Sequence, residues 1–121
     1  MARILFVDDD PDTLATLTKA VQIFGHQAIL AGSGQDALTL AAEQAPDLIF
    51  LDMSLPDMNG LTLISVLHEQ ESTSQIPVLM LSAGPEADTA EQAQVAGAKA
   101  YLSKPIRLQA LLDAIQEYTA K

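Results

Sequence analysis

The sequence contains no cysteine, and aromatic residues account for only 4% of its 121 positions. Without cysteine the chain can form no disulfide bond, no thiolate metal site and no thiol nucleophile. Because aromatic side chains are so scarce, the core must be built mainly from Leu, Ile, Val and Ala, and 49% of the residues are hydrophobic. The lack of cysteine suits a reducing compartment, so we expect a cytoplasmic protein.

Basic residues are also few. Six Lys and Arg residues stand against sixteen Asp and Glu residues, which gives a formal net charge of -10. Such acidity argues against direct binding to nucleic acid, which normally requires a basic patch. It argues equally against an anionic membrane surface, and it favours a cation or a basic protein patch as the partner.

Long apolar runs are missing, and no run approaches the ~20 residues that a membrane span needs. The run at 48–51 is bracketed by Asp47 and Asp52, and the run at 4–7 is too short for a signal peptide with a cleavage site. We therefore expect no membrane insertion, and we interpret both runs as buried strands.

Short apolar runs are nevertheless the strongest pattern in the sequence. They are nearly continuous rather than alternating, which is typical of parallel strands that are covered on both faces. The sequence predicts five such strands, of which the second and the last are the weakest: residues 4–7, 27–31, 48–51, 78–81 and 100–102.

Segments with helical spacing follow each of these runs. Asp10 is a good N-cap for the first helix, with Pro11 at its first position and Gly25 at its end. Residues 33–36 resemble a capping box that opens the second helix, with Asp in place of the usual Glu. The third helix follows Gly60 and presents Leu and Ile at helical spacing.

Two further helices complete the pattern. The fourth is Ala-rich, covers 86–96 and ends at Gly97. The fifth has the clearest apolar stripe, formed by Leu108, Leu111, Leu112 and Ile115, and we expect Leu108, Leu111 and Ile115 to face the core. The β-α unit is thus repeated five times, which predicts a doubly wound α/β fold with helices on both faces of a parallel sheet. We see no linker or repeat, and we expect one domain over 1–121.

Carboxylates collect where the predicted strands end. Strand one leads into Asp8 and Asp9, strand three ends in Asp52, strand four ends in Ser82, and strand five leads to Lys104. Sites in open α/β sheets form at the carboxyl ends of strands, where the strand order reverses. If strands one and three are central neighbours, the three carboxylates converge, and the serine and lysine arrive from the next strands.

Converging carboxylates repel one another. Two like charges about 4 Å apart cost about 1 kcal/mol in water and about 4 kcal/mol at an effective dielectric of 20. Such a site must take up protons, bind a cation, or both. Oxygen ligands with room for water suit Mg²⁺ or Mn²⁺, and the Lys104 ammonium would add a fixed positive charge.

These residues resemble the receiver domain of bacterial two-component response regulators, including the single-domain chemotaxis type. The resemblance covers essentially the whole chain and rests on five segments in their order and spacing: residues 4–10, 46–52, 55–60, 77–83 and 97–105. It implies a flavodoxin-like (βα)5 fold whose five-stranded parallel sheet has the order 2-1-3-4-5.

The resemblance also implies roles for the acidic cluster. Asp52 matches the phosphorylated aspartate, and Asp8 and Asp9 match the acidic pair that holds Mg²⁺. The backbone carbonyl of Ser54 matches the remaining protein ligand, and Lys104 matches the lysine that assists catalysis. The implied reaction is Mg²⁺-dependent transfer of a phosphoryl group from a phosphohistidine, on a sensor histidine kinase or a histidine phosphotransfer protein.

Two further residues match the family's switch. Ser82 matches the hydroxyl that bonds the new phosphate, and Tyr101 matches the aromatic residue that then moves inward, although plain packing is an alternative for this tyrosine. The switched face would comprise the fourth helix, the fifth strand and the fifth helix, and it would bind an unidentified downstream protein. We thus expect a switch that assists its own phosphorylation and dephosphorylation rather than an enzyme.

Two other functions compete with this one. A phospho-independent interaction module could use the same fold, but such domains usually lose the acidic pair, the acceptor or the lysine, and this chain keeps all three. A haloacid-dehalogenase-like phosphohydrolase needs an Asp-x-Asp-x-Thr/Val signature. The frame from Asp8 ends at Asp12 and the frame from Asp10 ends at Leu14, so neither fits.

Several residues receive plain structural interpretations. Asp57 lies in a turn before the third helix, and we interpret it as a turn former. We interpret Met58 as a filler of the core and His26 and His68 as surface histidines.

Overall fold

A computed structural model describes residues 2–52, 55–82, 97–103 and 107–119 of the chain. Its strands are β1 (Arg3–Val7), β2 (Gln27–Ala31), β3 (Leu48–Asp52), β4 (Val78–Ser82) and β5 (Ala100–Ser103). Its helices are α1 (Pro11–Ile23), α2 (Gly34–Gln44), α3 (Gly60–Glu69) and α4 (Leu108–Thr119). The helix predicted over 86–96 lies outside the described residues, so α4 is the fifth helix of the sequence-based prediction.

The five strands form one parallel sheet in the order β2-β1-β3-β4-β5. This order confirms the predicted doubly wound α/β fold, and each predicted strand is found to within one residue at either end. Strand order reverses between β1 and β3, which are neighbours at the centre of the sheet. The carboxyl ends of these two strands therefore border the crevice in which such folds bind ligands.

Both faces of the sheet are covered by helices. Side chains of α2 and α3 pack on one face, and those of α1 and α4 pack on the other. All five residues of β3 are buried, which explains why its sequence does not alternate between apolar and polar residues. On the face covered by α1 and α4, the rings of Phe6 and Phe50 stack with their centroids 5.5 Å apart.

Helix α1 begins and ends as its sequence predicts. The Asp10 carboxylate accepts a hydrogen bond from the backbone N–H of Asp12 at 3.2 Å, and Pro11 occupies the first helical position. Beyond the last turn, Gly25 adopts a φ of 83°, in the left-handed region that favours glycine. These local signals fix where the chain leaves β1, and so where Asp8 and Asp9 lie.

The prediction for the apolar stripe of α4 was partly wrong. Leu111 and Ile115 are each 1% exposed, but Leu108 is 50% exposed. Leu108 is the first residue of the helix, one turn before the first buried position, and it lines an open groove with Leu112 and Phe24. Helical spacing identifies the buried side of a helix, but it does not tell which turns of that side are covered.

This difference predicts unequal costs for two leucine substitutions in α4. Leu111→Ala should lower the free energy of unfolding by about 2–5 kcal/mol, because it leaves a cavity in the core. Leu108→Ala removes an exposed side chain and should change it by less than about 0.5 kcal/mol. Urea denaturation of the two variants measures the difference, and equal losses would contradict this packing of α4.

Candidate metal centre

The register of the central strands places the acidic residues. Val7 of β1 pairs with Leu51 of β3, so Asp8 and Asp52 are the next residues in the same row of the sheet. The backbone of Asp8 is itself fixed, since its N–H donates to the carbonyl oxygen of Ala31 at 3.0 Å. The two aspartates are thus positioned by the backbone, before any side-chain interaction is considered.

The three predicted carboxylates lie together. One carboxylate oxygen from each of Asp8, Asp9 and Asp52 can be chosen so that all three atoms lie within 4.8 Å of one another. Asp8 and Asp52 are buried, with 2% and 8% exposure, whereas Asp9 is exposed. A cluster of oxygen ligands that is open on one side leaves room for water, and this donor set fits a small divalent cation such as Mg²⁺.

Part of the cluster is ordered by backbone hydrogen bonding. The Oδ1 atom of Asp8 accepts a hydrogen bond from the N–H of Asp10 at 3.0 Å. This bond closes a tight turn between the end of β1 and the start of α1. The turn holds the carboxylate of Asp8 toward the cluster and leads the chain past the exposed Asp9.

Other predicted site residues are only partly described. Ser82 ends β4, and its Cα pairs with that of Ser103, so its backbone lies at the same edge of the sheet as Asp52. The Ser82 side chain, Ser54 and Lys104 lie outside the described part of the structure, although Lys104 directly follows β5. The roles assigned to these residues stay predictions.

Tyr101 lies in the middle of β5, where its Cα pairs with that of Met80. Its side chain is partly buried and packs against the core cluster beneath α2 and α3. The tyrosine hydroxyl is buried and has no hydrogen-bond partner among the residues that the structure describes. Packing of this ring is therefore observed, and its switching role stays a prediction.

Sequence reasoning missed the principal contact of Asp57. Its carboxylate accepts hydrogen bonds from the backbone N–H groups of Gly34 at 2.8 Å and Gln35 at 2.9 Å, at the start of α2. These two bonds lower the pKa of Asp57, because they stabilise the ionised form. Interpreting Asp57 as a turn former was incomplete. The partners lie 22 and 23 residues away in the sequence, so no local spacing could have revealed them.

Both histidines make structural contacts. His26 is partly buried, and its Nδ1 atom accepts a hydrogen bond from the N–H of Ala2 at 3.0 Å. His68 is partly exposed and lies against Gly97, where an added Cβ would overlap its ring. Neither histidine is part of the acidic cluster found among the described residues.

The fold and the site together define an α/β domain with a cluster of three carboxylates at the switch point of its sheet. The sequence model of the response regulator receiver domain matches residues 4–116, and the chain belongs to this family. Among its relatives, protein PilH of Pseudomonas aeruginosa is 34% identical over 120 residues, and the match covers 99% of each chain. The transcriptional regulatory protein KdpE of Mycobacterium tuberculosis is 38% identical over 112 residues, and these span only 48% of its length.

Solved structures agree with the family. The chemotaxis protein CheY4 of Vibrio cholerae superposes with a TM-score of 0.91 at 27% identity, covering 98% of each chain. The protein is thus a two-component receiver, and the phospho-independent alternative is not favoured. Receiver domains are signalling switches rather than ordinary enzymes, and they interact with histidine kinases or phosphotransfer proteins. In the part of the chain that the structure describes, no helix has the length and apolar character needed to cross a bilayer.

Repulsion within the cluster predicts that removing one charge stabilises the metal-free protein. Asp9→Asn removes the repulsion of Asp9 by both Asp8 and Asp52, so in the presence of a chelator it should raise the free energy of unfolding by about 2 kcal/mol, about 1 kcal/mol for each pair in water. Urea denaturation measures the change. The matched control is Glu43→Gln, an exposed position on α2, which reports the effect of lowering the overall negative charge. A destabilised Asp9→Asn variant would contradict this account.

The two bonds to Asp57 predict a pH-dependent contribution to stability. Because the pKa of Asp57 is lower in the folded than in the unfolded chain, its stabilisation is complete above the unfolded value of about 3.9 and is lost as pH falls through the folded value. Asp57→Asn should therefore have a lower melting temperature than the wild type at about pH 6, and this difference should become smaller in acid. Thermal melts at several pH values from about 2 to about 7, a range that brackets these pKa values, measure the difference in melting temperature. A difference of constant size would exclude the ionised carboxylate as its source.

Proposed function

We propose that this receiver accepts a phosphoryl group on Asp52 in a reaction that requires Mg²⁺, for which Mn²⁺ can substitute. One observation carries the proposal: the buried Asp52 carboxylate lies within 4.8 Å of those of Asp8 and Asp9. Family membership supports the choice of Asp52, because the receiver family is a family of phosphorelay switches. The assignment of the acceptor to Asp52 rests on its position in the acidic cluster.

The cation would be held by the carboxylates of Asp8, Asp9 and Asp52 and by the backbone carbonyl of Ser54. When bound, Mg²⁺ offsets the negative charge of the carboxylates and of the phosphoryl oxygens that approach them. The burial of two of the carboxylates supports this role, because low solvent exposure strengthens their attraction for a cation. The exposed Asp9 would leave the approach to the site open to a phosphate donor.

The transfer step needs no separate base, because an ionised carboxylate is already a nucleophile. A carboxylate oxygen of Asp52 forms a new bond to phosphorus as the bond from phosphorus to the donor nitrogen breaks. The electron pair of that bond leaves with the imidazole of the donor histidine, and Asp52 becomes an acyl phosphate. We assign to the Lys104 ammonium the attraction of the transferring oxygens, and to the Ser82 hydroxyl a hydrogen bond to the new phosphate.

The environment of Tyr101 supports its proposed part in the response. The ring is partly buried, and leaving its buried hydroxyl without a partner among the described residues costs roughly 1–3 kcal/mol. Because this cost opposes the packing of the ring, we propose that a movement near Ser82 shifts the ring between an inward and an outward position. We propose that this shift alters the face formed by β5 and α4, and that the downstream protein binds to this face.

The donor would be a sensor histidine kinase or a histidine phosphotransfer protein. A net charge of -10 supports a protein partner with a basic patch and argues against nucleic acid as a direct target. We further propose that residues 1–121 act as a single receiver domain in the cytoplasm. In this proposal its residues assist both the gain and the loss of the phosphate, without turnover of an external substrate.

Phosphorylation by a small acyl phosphate tests the assignment of Asp52. Intact-mass measurement of the wild type with acetyl phosphate and Mg²⁺ should show the addition of one phosphoryl group, and excess chelator should abolish it. Asp52→Asn should show no addition, because the amide is not nucleophilic. The matched control is Asp36→Asn, an exposed aspartate at the start of α2, which should be phosphorylated like the wild type. Phosphorylation of Asp52→Asn would place the acceptor elsewhere.

A further inference from the structure

The start of helix α2 is capped by side chains from two different places in the chain. Ser33, the local N-cap, accepts a hydrogen bond from the N–H of Asp36 at 3.2 Å. The N–H groups of Gly34 and Gln35 donate instead to the Asp57 carboxylate, which comes from the connection between β3 and α3. Such charge-assisted bonds at a helix N-terminus are stronger than neutral ones, and the helix dipole favours the negative charge.

The residues that follow Asp57 strengthen this attachment. The side chain of Met58 covers Gly34 so closely that an added Cβ there would lie 2.5 Å from the Met58 Cγ atom. Asn59 is the N-cap of α3, and its Oδ1 atom accepts a hydrogen bond from the N–H of Leu61 at 2.7 Å. The connection is therefore fixed to α2 and to α3 within three consecutive residues.

The attachment connects two segments that border the acidic cluster. The backbone N–H of Asp8 is bonded to the carbonyl of Ala31, at the end of β2. Three residues later the chain reaches Gly34, which is bonded to Asp57, and Asp57 follows Asp52 by five residues. The bonds between Asp57 and α2 thus join the connection that follows Asp52 to the same loop that holds the backbone of Asp8.

We propose that Asp57 is a positioning residue for the cation site: it holds the connection that follows Asp52 against α2 and so keeps the spacing of the clustered carboxylates. The proposal rests on the proposed function, because it assumes that the cluster binds Mg²⁺. Carboxylates that repel each other in the metal-free protein move apart unless their supports are fixed. The Asp57 bonds oppose this movement, which preorganises the site for the cation.

Magnesium affinity, measured by titration calorimetry on the full chain, tests the proposal. Asp57→Ala removes both acceptors and should weaken Mg²⁺ binding about ten-fold, the low end of what loss of a supporting interaction costs at a metal site. Asp57→Asn keeps one acceptor oxygen and should give an intermediate affinity. A graded loss over these two variants is the expected result.

Two controls separate positioning from general effects. Ser33→Ala removes the local cap of α2 and should lower the melting temperature, but it leaves the Asp57 bonds in place and should not change the Mg²⁺ affinity. Asp36→Asn removes the same charge from the same end of the helix without removing a bond to Asp57. It should also bind Mg²⁺ as the wild type does.

Amide hydrogen exchange of the metal-free protein provides a readout that is independent of Mg²⁺. The amides of Gly34 and Gln35 should be protected in the wild type and should exchange faster in Asp57→Ala, since the carboxylate is their acceptor. Unprotected amides in the wild type would overturn the proposal at its structural basis.

The binding outcomes distinguish the two proposals. A wild type that binds Mg²⁺ together with an Asp57→Ala variant of equal affinity would overturn the positioning role alone. An equal loss of affinity in Ser33→Ala would overturn it too, because destabilising α2 would then be the cause. A wild type that does not bind Mg²⁺ would overturn the proposed function and, with it, this inference.

Discussion

Mutual repulsion of three carboxylates is the constraint around which this domain is organised, and the parallel register of β1 and β3 is what imposes it. Val7 pairs with Leu51, so the next row of the sheet contains Asp8 and Asp52. Both strands are buried on both faces, and a slip of one residue would exchange the side chains that face the two layers of helices. The strands cannot relieve the repulsion by sliding, because every apolar contact on both faces opposes the slip.

Burial of the central strands in the core holds the acidic residues together against their repulsion. The repulsion amounts to about 1–4 kcal/mol for each of the three pairs, whereas burial of a single large apolar side chain contributes about 1.5–3 kcal/mol. The central strands bury such a side chain at almost every position, so the sheet can hold its acidic edge together without a cation. An acidic site maintained in this way attracts a divalent cation, which would offset the repulsion between the carboxylates and an approaching phosphoryl group.

The sequence was sufficient to predict the strands, the starts of α1 and α2 and the convergence of the acidic residues, because each depends on local pattern or on chain order. Continuous apolar runs identify buried parallel strands, Asp10 and Ser33 are recognisable N-caps, and strand ends meet at one edge of any parallel sheet. It was not sufficient for Leu108, which continues the helical spacing of Leu111 and Ile115 but is 50% exposed. It also missed the bonds of Asp57, which join segments more than twenty residues apart and leave no periodic trace.

The two sides of the acidic cluster differ in how well their polar groups are satisfied. On the α2 side, the Asp57 carboxylate accepts two backbone hydrogen bonds, so moving it would break both at once. On the β5 side, the Tyr101 hydroxyl is buried without a partner among the described residues, so moving it outward would restore its hydration. If Asp52 is phosphorylated as proposed, the α2 side, with its two bonds to Asp57, would act as the fixed support of the site. The proposed movement of Tyr101 would then place the response on the β5 side.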